Sequence, residues 1–181
     1  DAKCEICIFP EDMEEIKRKV AQLEQDFTGE YKDIEPDLKL KVIPGEQVEE
    51  IYTEESTLKV IDLLMALPNG VAAMNSSIPD LVETSNNLAT VKIKDSKLEI
   101  KISIRSSVLS RLRALASRIA AIGELSGAET INNQGYPAWE PDTGSALLRK
   151  CTECYRELFK EEPEVLVIHA GLECGVIAAK Y

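Results

Sequence analysis

Polar and apolar residues alternate with a period of two on both sides of the dipeptide Asp95-Ser96. After it, Leu98, Ile100, Ile102 and Ile104 fall on one side, and Glu99, Lys101, Ser103 and Arg105 on the other. A period of two is the signature of a strand with one face buried and one open. The pattern predicts strands over 82–93 and 97–105, joined as a hairpin by Asp95-Ser96. Leu109, Leu112, Leu115, Ile119 and Ile122 then recur at helical spacing, and Gly127 marks the end of that helix. Residues 128–133 read as a further strand. Strand, strand, helix, strand is most of a ferredoxin-like unit.

The preceding residues read as part of another such unit. Residues 2–9 alternate as a strand that Pro10 ends. Asp12 and Glu15 have the spacing of a capping box. Met13, Ile16, Val20, Leu23, Phe27 and Tyr31 form the stripe of an amphipathic helix of about five turns. Leu38, Leu40 and Val42 alternate with Lys39 and Lys41 as a strand closed by Pro44-Gly45. An acidic stretch over 46–55 reads as a surface linker. Leu58, Ile61, Leu64 and Met65 form a short helix that stops at the turn Pro68-Asn69-Gly70, and 72–81 reads as a loop. Beyond a loop over 135–144, a helix over 145–160 and a strand over 165–168 are expected. The expected class is therefore α+β: ferredoxin-like antiparallel sheets with helices on one face over 1–144, then a short α/β piece over 145–181.

Composition narrows the function. The net charge of −11 argues against a nucleic-acid partner. No run of 18 apolar residues exists to span a membrane, and no signal-peptide pattern is present. The chain does not begin with Met and reads as a piece of something longer. Cytoplasmic residence is the expectation. Cys4 and Cys7, and Cys151 and Cys154, form two CxxC pairs, a spacing that zinc sites use. On a strand, however, residues three apart point to opposite faces. Cys151 and Cys154 share a helical stripe with Leu147, Leu148, Tyr155 and Leu158, so core packing is the expected role of that pair.

Chemistry is expected after Val165-Leu166-Val167-Ile168, where the buried strand gives way to His169-Ala170-Gly171-Leu172-Glu173-Cys174-Gly175. Ligands in open α/β sheets sit outside the carboxyl ends of strands, and the chain's single histidine stands there. The stretch 168–175 resembles the signature of the Xaa-His (aminoacyl-histidine, or cytosol non-specific) dipeptidases, zinc exopeptidases that include carnosinase and carboxypeptidase G. Three other stretches match that family in the same order. They are Pro68-Asn69-Gly70-Val71, then Val82-Glu83-Thr84-Ser85-Asn86-Asn87 with Ile104-Arg105-Ser106, then the run from Gly135 to Asp142. Together these matches span roughly the second half of the chain.

The resemblance implies a lid domain inserted into a catalytic domain that carries two zinc ions, with the chain covering the lid and the first return to the catalytic domain. The family's metal ligands come from His-x-Asp, Asp and Glu-Glu motifs and a further His. No His-x-Asp is present here, and the doublets Glu14-Glu15, Glu49-Glu50, Glu54-Glu55 and Glu161-Glu162 fall on expected helix faces or in polar linkers. No catalytic or metal residue is therefore assigned to this chain, and no zinc is expected on the segment alone. Substrate binding does carry over. Arg105 matches a lid arginine that reaches the substrate carboxylate, which guanidinium suits by pairing two oxygens at once. Asn87 matches a polar lid residue that helps bind the peptide, though Asn86 stands beside it on the opposite face. His169, Gly171 and Glu173 would line the floor of the site. There His169 and Glu173 would meet the substrate amino group or a histidine side chain, His169 being open also to metal ligation or to a plain strand-end role.

The partners implied are a dipeptide, the missing catalytic domain and a second copy in a homodimer. The rival reading is a non-enzymatic α+β interaction or oligomerisation module. A zinc-ribbon protein, resting on the CxxC pairs, is a third.

Overall fold

The computed structural model describes residues 2–46, 48–133, 135, 142, 144–166, 173–178 and 180, with backbone alone at 173, 174 and 178. The chain packs as two units, Asp1–Glu55 and Ser56–Tyr181.

In the first unit a single turn of 3-10 helix, Pro10–Asp12, leads into α1, Met13–Glu30. The capping box does not form. Asp12 is already helical and makes no side-chain cap bond. Glu15 instead pairs with Lys19 one turn on, at 2.8 Å. The C-terminus closes with the Tyr31 N–H on the Phe27 carbonyl at 2.8 Å, and the two rings meet edge to face. Residues 2–9 and 38–42 are irregular rather than strands. Alternation makes a segment fit to be a strand, but only hydrogen bonds to a neighbour make it one. Neither segment has such a neighbour among the described residues.

The second unit is built on a three-stranded antiparallel sheet in the order β1-β2-β3: β1, Gly70–Met74; β2, Val82–Lys94; β3, Lys97–Ser106. It is entered through α2, Glu54–Ala66. That helix starts inside the expected linker, where Glu54 and Glu55 suit the positive end of its dipole. Gly70 sits at φ +102, a conformation closed to side-chain residues, and begins β1 where a loop was expected. The following loop is tied by the Asn75 side chain, which accepts the N–H groups of Ser77 and Ile78 at 2.9 Å each.

The hairpin forms as predicted, one residue longer on each strand. Asp95 and Ser96 both take positive φ, 50 and 59, as a type I′ turn requires. Leu98, Ile100, Ile102 and Ile104 are half-buried, while Lys97, Glu99, Lys101, Ser103 and Arg105 are exposed. The helix α3, Leu109–Leu125, packs on β3 and buries Leu115. Burying one leucine of this kind contributes about 2 kcal/mol. A bulge at Ala89, between the pairs Leu88–Ile102 and Thr90–Lys101, shifts the alternation of β2 by one residue. It sets Val91 opposite Ile100 and Ile93 opposite Leu98, although both stay exposed at this end of the hairpin.

The strand expected over 128–133 is absent because the end of α3 uses its leading backbone groups. The Gly127 N–H bonds to the Glu124 carbonyl and the Ala128 N–H to the Gly123 carbonyl, both at 2.9 Å, with Gly127 at φ +80. This is a Schellman motif. A Cβ on Gly123 would meet the Thr130 hydroxyl at 2.9 Å, so the returning chain lies against the helix rather than on the sheet.

Two helices follow: α4, Ala146–Phe159, and α5, Glu173–Ala178. Lys160, in the left-handed conformation at φ 58, ends α4. The apolar stripe of α4 is not a core face here. Leu147, Tyr155, Leu158 and Phe159 are exposed, and so are Cys151 and Cys154. The expected core role of that cysteine pair is thus not met within the described residues. Val165 and Leu166 are exposed and not in a strand, and the rest of that expected strand lies outside the described residues. The α+β class holds. Among the described residues no helix is long and apolar enough to cross a membrane.

Candidate substrate-binding face

The open face of the hairpin is fixed by its register. Ser85 stands opposite Arg105 and Asn87 opposite Ser103, with no irregularity between these pairs. Residues directly opposite share a face, so Asn87 and Arg105 are diagonal neighbours on one face. In such a ladder diagonal Cβ atoms lie about 7–8 Å apart, within joint reach of one small ligand. Both residues are exposed. Among the described residues no ion pair engages Arg105.

The other asparagine has a different role. Asn86 is buried, and its amide donates a hydrogen bond to the Pro68 carbonyl. The neighbouring Asn69 carboxamide oxygen accepts the Leu88 N–H at 2.9 Å. The two contacts fasten the Pro68-Asn69-Gly70 turn to β2.

Glu83, Thr84 and Asn86 are buried polar residues within four positions of one strand. Such residues require partners. Thr84, 2% exposed, bridges hydroxyl to hydroxyl with Ser106 at 2.8 Å. The Ser106 hydroxyl also accepts the Val108 N–H at 3.1 Å and lies 3.0 Å from the Val108 carbonyl. Glu83 pairs with Arg111 of α3 at 2.9 Å. These contacts pin the corner where β3, one residue after Arg105, turns into the helix. Sequence reasoning matched Glu83, Thr84 and Ser106 only as parts of longer stretches, gave them no role, and passed over Arg111. The available signal was the polar run Glu83-Thr84-Ser85-Asn86 inside an otherwise patterned strand.

Of the five expected site residues, the structure brings Arg105 and Asn87 together. His169 and Gly171 lie outside the described residues, and Glu173 is described only as helical backbone at the start of α5. Among the described residues no group of three or more His, Cys, Asp or Glu could hold a metal ion. Guanidinium beside a carboxamide on an open sheet face is suited to bind an anion and a carbonyl together.

No protein-family model matches the chain. The cytosol non-specific dipeptidase of Escherichia coli (strain K12) is 39% identical over 121 residues, which are 67% of this chain and 25% of that protein. The crystal structure of aminoacylhistidine dipeptidase from Vibrio alginolyticus matches the fold with a TM-score of 0.80 at 27% identity. That match covers 93% of this chain and 34% of the solved one. The chain thus spans about a quarter of the curated relative and a third of the solved structure. By sequence and by fold, this chain matches one segment of the Xaa-His dipeptidases.

Proposed function

We propose that this chain is the lid and substrate-binding part of a zinc-dependent dipeptidase, cytoplasmic, acting on dipeptides such as those with C-terminal histidine. In this reading residues 1–144 are the lid and 145–181 the start of a catalytic segment. Zinc, two ions in the complete enzyme, would polarise the scissile carbonyl and activate water when bound. In this reading the part this segment plays is positioning. Arg105 pairs both oxygens of the dipeptide's free carboxylate, and Asn87 donates its amide to the neighbouring carbonyl oxygen. The resemblance adds His169, Gly171 and Glu173 as the residues that would line the floor of the site. The observation that carries the reading is Arg105 itself: exposed, on the same open face as Asn87, with no ion pair among the described residues. The exposed apolar stripe of α4 also fits a segment of a longer enzyme, whose remaining chain would cover it.

The test is hydrolysis. The complete protein should cleave dipeptides in a reaction that a chelator stops and added zinc restores. The segment alone, with zinc, manganese or cobalt, should show none. Turnover by the segment that survives repurification would refute the reading.

A further inference from the structure

The register places a carboxylate beside the arginine that the proposed function leaves open for substrate. The Ser107 N–H bonds to the Glu83 carbonyl at 3.1 Å, continuing the ladder one step beyond the Thr84–Ser106 pair. Glu83 is therefore opposite Ser107 and diagonal to Arg105, just as Asn87 is diagonal to it from the other side. A glutamate there is long enough to reach the guanidinium and occupy it. It does not do so, because its carboxylate is held elsewhere. Oε1 receives the Arg111 Nε–H at 2.9 Å and lies 3.2 Å from the Thr84 hydroxyl. That hydroxyl has one proton, which Ser106 Oγ at 2.8 Å competes for, so the threonine alone does not secure the carboxylate. The Glu83 side chain is 8% exposed and that of Arg111 59%. Burying a carboxylate is costly unless it is paired and hydrogen-bonded, and Arg111 supplies the pairing here. If Arg111 is lost, Arg105 is the guanidinium that the register sets diagonal to Glu83 on the same ladder.

We propose that Arg111 is a positioning residue that guards Arg105: by holding Glu83, it keeps an internal carboxylate from taking the place of the substrate's. This rests on the reading of Arg105 as the carboxylate-binding residue.

The test uses the complete dipeptidase, assayed on a dipeptide and on the same dipeptide amide. Arg111→Gln should raise KM for the free-carboxylate substrate about tenfold with kcat nearly unchanged, a coupling of the size neighbouring charged residues show. The amide should be unaffected. Adding Glu83→Gln to Arg111→Gln should bring KM back to within about twofold of the parent, since the competing charge is then gone. A double variant as impaired as Arg111→Gln alone, or equal losses on both substrates, would overturn the proposal. Should Arg111→Gln not fold, Glu83→Gln alone decides: KM for the free carboxylate should stay level or fall, and a selective rise would overturn it. Arg105→Ala run in parallel separates the two readings. If it does not discriminate between acid and amide, the assignment of Arg105 fails. If it does, while the Arg111 and Glu83 variants behave otherwise than stated, only the guard is wrong.

Discussion

Asn87 and Arg105 stand on the same open face of one hairpin as diagonal partners, while Asn86, one residue away, points to the covered face and holds the Pro68 carbonyl. The two asparagines therefore have separable roles. Asn86→Ala removes a buried donor and leaves a carbonyl without it, which costs about 1–3 kcal/mol of stability. Asn87→Ala should leave the thermal midpoint of the segment unchanged and act on substrate binding in the complete enzyme. Thermal melts of both variants check this. A midpoint that falls equally for both would show that Asn87 is structural as well.

The stripe of α4 gives a second test. Leu158 is 76% exposed in this segment. Leu158→Asp should change the stability of the segment by no more than about 0.5 kcal/mol, as exposed substitutions do. In the complete protein, where the reading has this face covered, the same substitution should cost about 2–5 kcal/mol. Equal effects in the two contexts would mean that nothing packs on α4.

Acid acts on α1 through one exposed pair. The Lys19 ammonium, by a hydrogen bond first and its charge second, lowers the pKa of Glu15 below 4.5. A carboxyl lowered in the folded state contributes stability that is present above its unfolded value and lost as pH falls through the folded one. Helicity of α1 should therefore decline as pH drops below 4.5, and less so in Glu15→Gln. The difference should be small and should shrink in about 0.5 M salt, because the pair is open to solvent. Superimposable acid titrations by circular dichroism would remove the pair from the account.

What the sequence made legible was decided by packing. The hairpin was readable because Leu98, Ile100, Ile102 and Ile104 alternate against a real covering layer, α3. Residues 2–9 and 38–42 alternate as clearly but have no described neighbour to pair with, and pattern alone cannot supply one. The strand β1 was missed for the opposite reason. Gly70-Val71-Ala72-Ala73-Met74 carries no alternation, and its pairing to β2 is irregular at two steps. The segment 128–133 was lost to the Schellman end of α3, a local hydrogen-bond demand that strand propensity does not register. In the site, the alternation of Asn86 and Asn87 was visible, but which of them faced outward depended on the Pro68 carbonyl, 18 residues away. The Glu83–Arg111 pair depended likewise on how α3 docks.

The central claim is that Arg105 holds the free carboxylate of a dipeptide. Its most direct test is kcat/KM of Arg105→Ala in the complete enzyme, measured on a dipeptide and on its amide, with metal content and thermal midpoint checked alongside. A charge-assisted bidentate contact in a closed cleft is worth a few kcal/mol, so the loss on the free dipeptide should be on the order of 100-fold. On the amide it should be far smaller, Arg105→Lys should rescue poorly, and metal content and midpoint should hold. Parent-like constants for Arg105→Ala on both substrates would contradict the account and leave Arg105 a surface charge.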